Sequence, residues 1–411
     1  MEMQTIHEKI DNETNGALSD KNEKSAADDE LCDKILTEKL LVLKPSGSVI
    51  KPSVTEDEVR KLLERLYGIV VLEMCELNAY DDRNYLIQHD WRVKNPILPS
   101  NKSRDGYVLK ILNSLESKCE SLIDGQIKAM QWLTEKKIKC SIPIKNISGK
   151  YFSMEKIGGK EHIVRLLDFL PGKIFHDIRA YHTKNLFYQV GKFIAQVDLA
   201  FNQFENETIK ARKTIWMLDS VPQLMDFLEV VKNQTHKIMI EQIIHEFEKR
   251  VLSIADSLEK GYIHGDCNEF NLIVKRKDNQ EKHEYEVCSI IDFGDVSYTC
   301  LIYELAVALT YMLLEAKDIE VGGLVIAGYS EIRKISKQER DILKLCVMAR
   351  LCQSLVIGLY SASVNPENIE YVLTSQDKGW MVLEKLFNER DETILEIWES
   401  EAEKYLTQSS K

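Results

Sequence analysis

GYIHGDCNEFNLIV, Gly261–Val274, and EVCSIIDFGDVSYT, Glu286–Thr299, decide how this chain folds. In the first stretch Tyr262-Ile263 and Leu272-Ile273-Val274 bracket a polar loop that holds His264, Asp266 and Asn271. In the second, the apolar run Val287 to Ile291 delivers Asp292-Phe293-Gly294. Each polar tripeptide, HGD and DFG, therefore follows a β-like run.

Asp266 and Asn271 stand as D-x4-N on one loop, close enough to hold an acceptor hydroxyl and a metal side by side. Asp292 supplies a second metal arm. In protein kinases the equivalent Asp accepts or orients the hydroxyl proton, while the loop Asn and the DFG Asp hold Mg²⁺ on the phosphates. Hard oxygen ligands of this kind suit Mg²⁺. HGD alone reads as a turn and DFG alone as a strand end. Both in this order, each after a β-like run, point to a phosphoryl-transfer site.

HGDCNEFN, with Gly265 where protein kinases carry Arg, resembles the aminoglycoside phosphotransferase-like kinases, which phosphorylate small-molecule hydroxyls. YVLKI at Tyr107–Ile111, AYDDRN at Ala79–Asn84, VRLLDFLPG at Val164–Gly172, IDFGDVSY, GWMVL and ENIEY narrow the resemblance to the branch of that family acting on 5-hydroxy-L-lysine. The similarity runs from about Val54 to Tyr405. It implies an α+β, protein-kinase-like two-lobe fold, with a small mixed antiparallel-sheet N-lobe and a larger helical C-lobe. It also implies Mg²⁺ as cofactor, GTP (or ATP) as phosphoryl donor and 5-phosphohydroxylysine as product.

Of 411 residues, 44% are hydrophobic and 29% charged, enough for one large or two smaller domains with a sizeable core. The net charge of -12 is uneven: residues 1–40 carry eleven acids and five bases, half of the excess. No basic block is present to attract nucleic acid or an anionic membrane. Nine cysteines without a CxxC pair fit reduced thiols and exclude a zinc ribbon. The longest apolar run, Leu305–Leu314, is far short of the ~18 residues of a membrane span. The N-terminus is too acidic for a transit peptide and lacks a secretory apolar segment, so a cytoplasmic location is expected.

Residues 1–52 hold too few large apolar side chains to bury and read as a disordered acidic tail. A nucleotide-binding lobe is expected over 53–170 and a helical lobe with the catalytic loop over 171–411. Thr55 as N-cap, Glu58 three residues on and Gly68 as a stop predict the first helix. Strands are expected at Ile69–Glu76, Asn84–Gln88, Tyr107–Ile111, Ser141–Ile147, Tyr151–Met154 and His162–Leu167, with Gly158-Gly159 as a hairpin turn. No GxGxxG or Walker motif occurs, so the first loop would meet nucleotide phosphates through Asp82, Asn84 and backbone N–H groups. Lys110, inside an apolar strand, matches the kinase lysine that pairs the phosphates. Its acidic partner would come from Glu116, Glu120 and Asp124, which share a helix face; the resemblance favours Asp124. Asp168–Gly172 is the expected hinge, whose backbone contacts do not distinguish adenine from guanine.

Apolar stripes at Leu186–Phe201 and Ile243–Leu258 predict two core helices, and further helices are expected at Leu301–Glu315, Lys337–Ser361, Gln376–Asn388 and Glu392–Leu406. Only Asp295–Cys300 separates DFG from the next helix, and no APE segment follows, which favours a small molecule over a protein as acceptor. Glu304 reads as a brace for the catalytic loop. Arg350, on an apolar helix, is either one half of an internal salt bridge or a clamp for a substrate carboxylate. Trp216 and Trp380 are open between core and pocket wall, and His176 and His182 read as ordinary residues.

The resulting assignment makes Asp266 the base, Asn271 and Asp292 the metal ligands, and Lys110, Asp124, Asn84 and Asp82 the nucleotide contacts, with Asp295 and Arg350 on the acceptor. Partners are a small-molecule substrate and a nucleotide, without nucleic acid or membrane; protein partners are left open. The alternatives are a kinase for another hydroxylated amine or sugar, such as an aminoglycoside, choline or homoserine, and a non-catalytic nucleotide-binding scaffold.

Overall fold

Helix α1 (Glu56–Tyr67) begins and ends on the predicted signals. Thr55 Oγ1 accepts from Glu58 N at 3.4 Å, Glu58 Oε2 accepts from Thr55 N at 2.8 Å, and Gly68 closes the helix at φ 63°. A capping box of this kind contributes about 1 kcal/mol. The computed structural model describes residues 50–79, 81–90, 98, 105–277, 284–364 and 376–409. Residues 1–49 of the expected tail, Tyr80 of AYDDRN and the ENIEY stretch lie outside the described residues.

The apolar face of α1 packs with an antiparallel sheet around Leu63, Tyr67, Ile87, Leu109 and Leu166. Its strands are β1 (Val71–Leu77), β2 (Arg83–His89) and β3 (Tyr107–Ile111), then, after α2 (Glu120–Glu135), β4 (Pro143–Ile144), β5 (Ser153–Ile157) and β6 (Lys160–Asp168). The order is β1-β2-β3-β6-β4, with β5 paired to β6 through Gly158 and Gly159 at φ 55° and 83°. Two successive positive φ values are what a two-residue hairpin turn requires. Asn84 of β2 lies opposite Lys110 of β3, which lies opposite Arg165 of β6. Residues in register share one sheet face, so these three side chains form a row.

The larger lobe begins with β7 (Lys173–Ile174), α3 (Lys184–Ala200), α4 (Glu207–Ala211) and α5 (Gln234–Arg250). The sequence stripe suggests that the last of these runs to Leu258. It stops at Arg250 and continues as a tight 3-10 turn, where the Ser253 and Ser257 hydroxyls donate to the carbonyls of Lys249 and Ile254. Such local bonds compete with the helical ladder.

Four short strands follow: β8 (Lys260–Ile263), β9 (Leu272–Arg276), β10 (Tyr285–Ile290) and β11 (Ser297–Cys300). Because β8 pairs with β11 and β9 with β10, Ile263 faces Ser297 and Leu272 faces Ile290. The loop 264–271 and the loop 291–296 are thereby held side by side, which is how two distant motifs become one site. The short segment after DFG, read from sequence as a connection, is the strand β11.

The remaining helices are α6 (Ile302–Ala316), α7 (Val321–Ile332), α8 (Lys337–Val364), α9 (Gln376–Asn388) and α10 (Asp391–Ser409). Sequence reading misses α7, which carries Gly322, Gly323 and Gly328. These glycines are packing positions: a Cβ on Gly328 would overlap the Tyr188 carbonyl of α3, and one on Gly191 of α3 would overlap the Val325 carbonyl of α7. The two helices approach backbone to backbone. Helix α8 is long and apolar enough to span a membrane by length and composition, but 89% of its apolar window is buried inside the fold. Among the described residues seven cysteines are free thiols.

Candidate active site

The catalytic loop is fixed from below. His264 and Gly265 donate their backbone N–H groups to Glu304 of α6, the Gly265 bonds being 3.1 and 3.3 Å. Glu304 is fully buried, and burial pushes its carboxyl above the ordinary range. It therefore braces the loop, as its position in the sequence suggests. Gly265 sits at φ 81°, and a side chain there would run into the Asp295 carbonyl, so the position that is Arg in protein kinases has no room for one. The buried His264 ring makes a 3.0 Å bond to the Ile291 carbonyl through Nε2 and accepts from Asp266 N at 3.3 Å through Nδ1. It ties the two loops together.

Asp266 is held on three sides. Its Oδ1 accepts from Arg350 at 3.1 Å, and its Oδ2 accepts from Asn268 at 2.9 Å and Asn271 at 2.8 Å. Burial raises its carboxyl to about 7 despite the nearby Arg350 guanidinium, which pulls the other way. Arg350 is itself buried, donates to the Trp216 carbonyl at 2.9 Å, and lies 5.2 and 5.5 Å from the ring centres of Trp216 and Tyr311. Of the two sequence readings for Arg350, the structure shows the internal salt bridge, and its partner is the candidate base.

For Asp266 as the proposed base, the carboxylate form appears as pH rises through about 7, so kcat/KM is expected to climb between about pH 6 and 8. Arg350 stabilises that charged form. Replacing it in Arg350→Met should therefore move the acid limb to higher pH, with activity lost at pH 7 and partly recovered near ~pH 9. An acid limb that stays in place in the pH–rate profile of the variant would contradict this coupling.

Asp292 has φ 63° and ψ 83°, a left-handed conformation rare for a side-chain-bearing residue. Its Oδ1 accepts from Lys110 Nζ at 2.9 Å and from Gly294 N at 3.3 Å. Burial alone would raise this carboxyl, but Lys110 outweighs it and holds the group down at about 2. Asn271 spends its Nδ2 on the main-chain and side-chain oxygens of Asp266, which leaves its side-chain oxygen as a ligand atom. With the Asp292 carboxylate this is an all-oxygen donor set, and it fits a Mg²⁺ ion. The neighbouring loop is anchored by the fully buried Arg212, which donates to the carbonyls of Gly294 and Val296 and approaches Glu116 at 3.4 Å.

The expected partnership of Lys110 with Asp124 is corrected. Lys110 pairs with Asp292, whereas Asp124 pairs with Lys128 at 2.7 Å and is half exposed. The reason is helical geometry. Gln126 of α2 is buried, reaching the Gly294 carbonyl and accepting from Arg165 at 3.0 Å. Two residues along a helix rotate the side chain by about 200°, so Asp124 points away from the cleft. Of the three acids on that stripe, only Glu116 lines the cavity.

These groups surround a cavity of about 320 Å³ between the sheet and the helices. Asp82, Asn84, Asp266, Asp292, Asp295 and Arg350 all line it. Asp82 accepts from the backbone and side chain of Asn113 at 2.8 and 3.1 Å, so it supports the first loop, while the buried Asn84 Oδ1 has no partner. Lys110 lies buried behind Asp292. Trp216 is a pocket wall; Trp380 stacks on His236 at 4.1 Å and does not line the cavity. Glu269, Glu315 and His176 line it too, although the sequence reading passed over both acids and took His176 as ordinary. The available signal was Glu269 inside the HGDCNEFN motif.

An antiparallel sheet over a helical lobe, with D-x4-N and DFG loops facing one acidic cleft, defines a kinase-like small-molecule phosphotransferase. Residues 78–341 match the phosphotransferase enzyme family, APH, and the chain belongs to that family. A hydroxylysine kinase of Xenopus laevis is 32% identical over 367 residues, covering 87% of this chain and 96% of the relative. A hydroxylysine kinase of Mus musculus is 30% identical, covering 89% and 98%. Among solved structures, an amicoumacin kinase in complex with AMP-PNP, Ca²⁺ and its ligand superposes with a TM-score of 0.58 at 16% identity, covering 83% of this chain and 94% of that one.

Proposed function

We propose that this kinase transfers the γ-phosphate of GTP to the hydroxyl of 5-hydroxy-L-lysine. Asp266 takes the hydroxyl proton as the oxygen attacks the γ-phosphorus, the bond to the β-phosphate oxygen breaks, and GDP and 5-phosphohydroxylysine leave. Asn271 and Asp292 are the ligands proposed for Mg²⁺, which when bound would neutralise phosphate charge. Asn84, with backbone N–H groups of the first loop, and Lys110 are the proposed nucleotide contacts. A loose phosphoryl transition state asks little covalent chemistry of the protein, so these residues act mainly by positioning and charge.

The observation that carries the reading is that Asp266 and Asp292 line one cleft, with Asn271 hydrogen-bonded to Asp266 at 2.8 Å. Two features support the acceptor. The lining is strongly acidic, with Asp81, Glu116, Glu269, Asp295 and Glu315 beyond the residues assigned to catalysis and metal, which suits a molecule bearing two ammonium groups. The relatives of about 30% identity that span nearly the whole chain are hydroxylysine kinases.

The test is a phosphate-transfer assay crossing GTP and ATP with 5-hydroxylysine, ethanolamine, choline, homoserine and a simple sugar. 5-Hydroxylysine should give the highest kcat/KM by at least roughly tenfold, the scale of one charge-assisted contact. Lysine, which has every charge but no hydroxyl, should inhibit competitively without being phosphorylated. Equal use of choline or a sugar would overturn the acceptor assignment, and a higher kcat/KM with ATP would overturn the donor.

A further inference from the structure

Glu269 and Glu315 each carry a carboxylate oxygen without a hydrogen-bond partner among the described residues. Glu269 follows Asp266 by three residues in the catalytic loop, is 8% exposed, and its Oε2 has no hydrogen-bond partner. Glu315 lies in the last turn of α6, is 9% exposed, and its Oε1 is likewise unpartnered. Both line the cleft that contains Asp266, and ligand atoms of Glu269, Glu315 and His176 lie within 4.8 Å of one another. Buried carboxylates without a partner are strongly unfavourable, and two side by side are worse. Burial, with Glu315 and Asp266 adding like-charge repulsion, pushes the Glu269 carboxyl up to about 8. Lys378, a cation of the same lining, pulls the Glu269 carboxyl the other way without reversing that rise. The pair is built for a cation that arrives from the cleft.

His176 indicates which cation. Arg179 donates to its Nε2 at 2.9 Å, and a guanidinium has only donors, so that nitrogen is an acceptor. The ring proton is therefore on Nδ1, which gives it to Glu315 Oε2 at 3.0 Å. A metal ion would need the Nδ1 lone pair and would sit close to the Arg179 charge. An ammonium group needs only acceptors, and Glu269 Oε2 and Glu315 Oε1 are two. The His176 ring is further fixed against Phe270, 4.5 Å between centroids.

We propose that Glu269 and Glu315, oriented by His176, form the subsite that takes an ammonium group of the acceptor and so presents its hydroxyl to Asp266. This deepens the acceptor reading above and rests on it: the pair is the part of the chain that selects an amine. Glu269 and Glu315 bind substrate and do not take part in proton transfer.

The test uses the full chain saturated with Mg²⁺ and GDP, titrated calorimetrically with lysine and with 5-hydroxylysine. The wild type should bind both. Glu269→Gln and Glu315→Gln, made separately so that each stands without the other, should weaken both amines ten- to a hundredfold. GDP affinity should stay within about twofold, which reports that the fold is intact. In turnover the same variants should lower kcat/KM for 5-hydroxylysine ten- to a hundredfold, with KM raised. Unchanged amine affinity in both variants, or no amine binding by the wild type, would overturn the proposal. So would tight Zn²⁺ binding by the wild type that both variants lose, since it would make the cluster a metal site. If 5-hydroxylysine binds in a Glu269-dependent way but is not phosphorylated, the acceptor assignment fails and the ammonium subsite stands.

Discussion

Asp266→Asn is expected to lower kcat by roughly 10²-fold or more, the usual scale for a positioned acid or base. In the proposed mechanism the wild-type carboxylate receives the acceptor proton, at a site where Arg350, Asn268 and Asn271 fix its orientation. An amide in its place keeps nearly the same shape but cannot take the proton. Arg350 would lose its ion-pair partner, so the melting temperature should fall. Nucleotide affinity should not, because Asp292, Lys110 and the first loop are untouched. Steady-state kinetics beside nucleotide titration separates these effects, and turnover near the wild-type rate would rule out Asp266 as the base.

Asp292→Ala should be at least as damaging, by a different route. It removes one of two proposed Mg²⁺ ligands and also strips Lys110 of its ion-pair partner. Both the metal requirement and phosphate positioning should suffer: the Mg²⁺ concentration for half-maximal activity should rise and kcat should drop by roughly 10²-fold or more. Unlike Asp266→Asn, this variant should bind the Mg²⁺–nucleotide complex weakly. An unchanged Mg²⁺ dependence would show that Asp292 does not carry the metal.

The two catalytic loops were legible because their signals are local. D-x4-N and DFG each follow an apolar run, and strand pairing of β8 with β11 and β9 with β10 then brings them together. The ends of α1 were legible for the same reason, since a capping box and a left-handed glycine act within one turn. What escaped is tertiary. A repeat of acids every four residues predicts that Glu116, Glu120 and Asp124 share a helix face, but Glu116 lies in a separate 3-10 turn before α2, and Gln126 takes the inward face of that helix. Helix α7 looks like a loop until α3 is laid against its glycines. Arg350 shows as a buried charge in the sequence, but its partner is 84 residues away and no spacing encodes it. Glu269 sits in plain view in HGDCNEFN, and only the approach of Glu315 on α6 gives it a counterpart.

Arg350 also links the acceptor side of the cleft to the base. Its guanidinium is held by Trp216 and Tyr311 and bonds Asp266 directly, so its place on α8 bears on the charge of the proposed base. This makes Arg350 a positioning residue for Asp266, in place of the carboxylate clamp weighed from sequence.

The most direct measurement of the central claim is the identity of the product. The protein is incubated with Mg²⁺, GTP and 5-hydroxylysine, and the mixture is followed by phosphorus NMR and mass spectrometry. The account predicts one GDP and one phosphate ester on the 5-hydroxyl per GTP consumed, and ester formation roughly 10²-fold slower or more with Asp266→Asn. GTP consumption without an ester of 5-hydroxylysine, or an ester formed equally well by the Asp266→Asn protein, would contradict it.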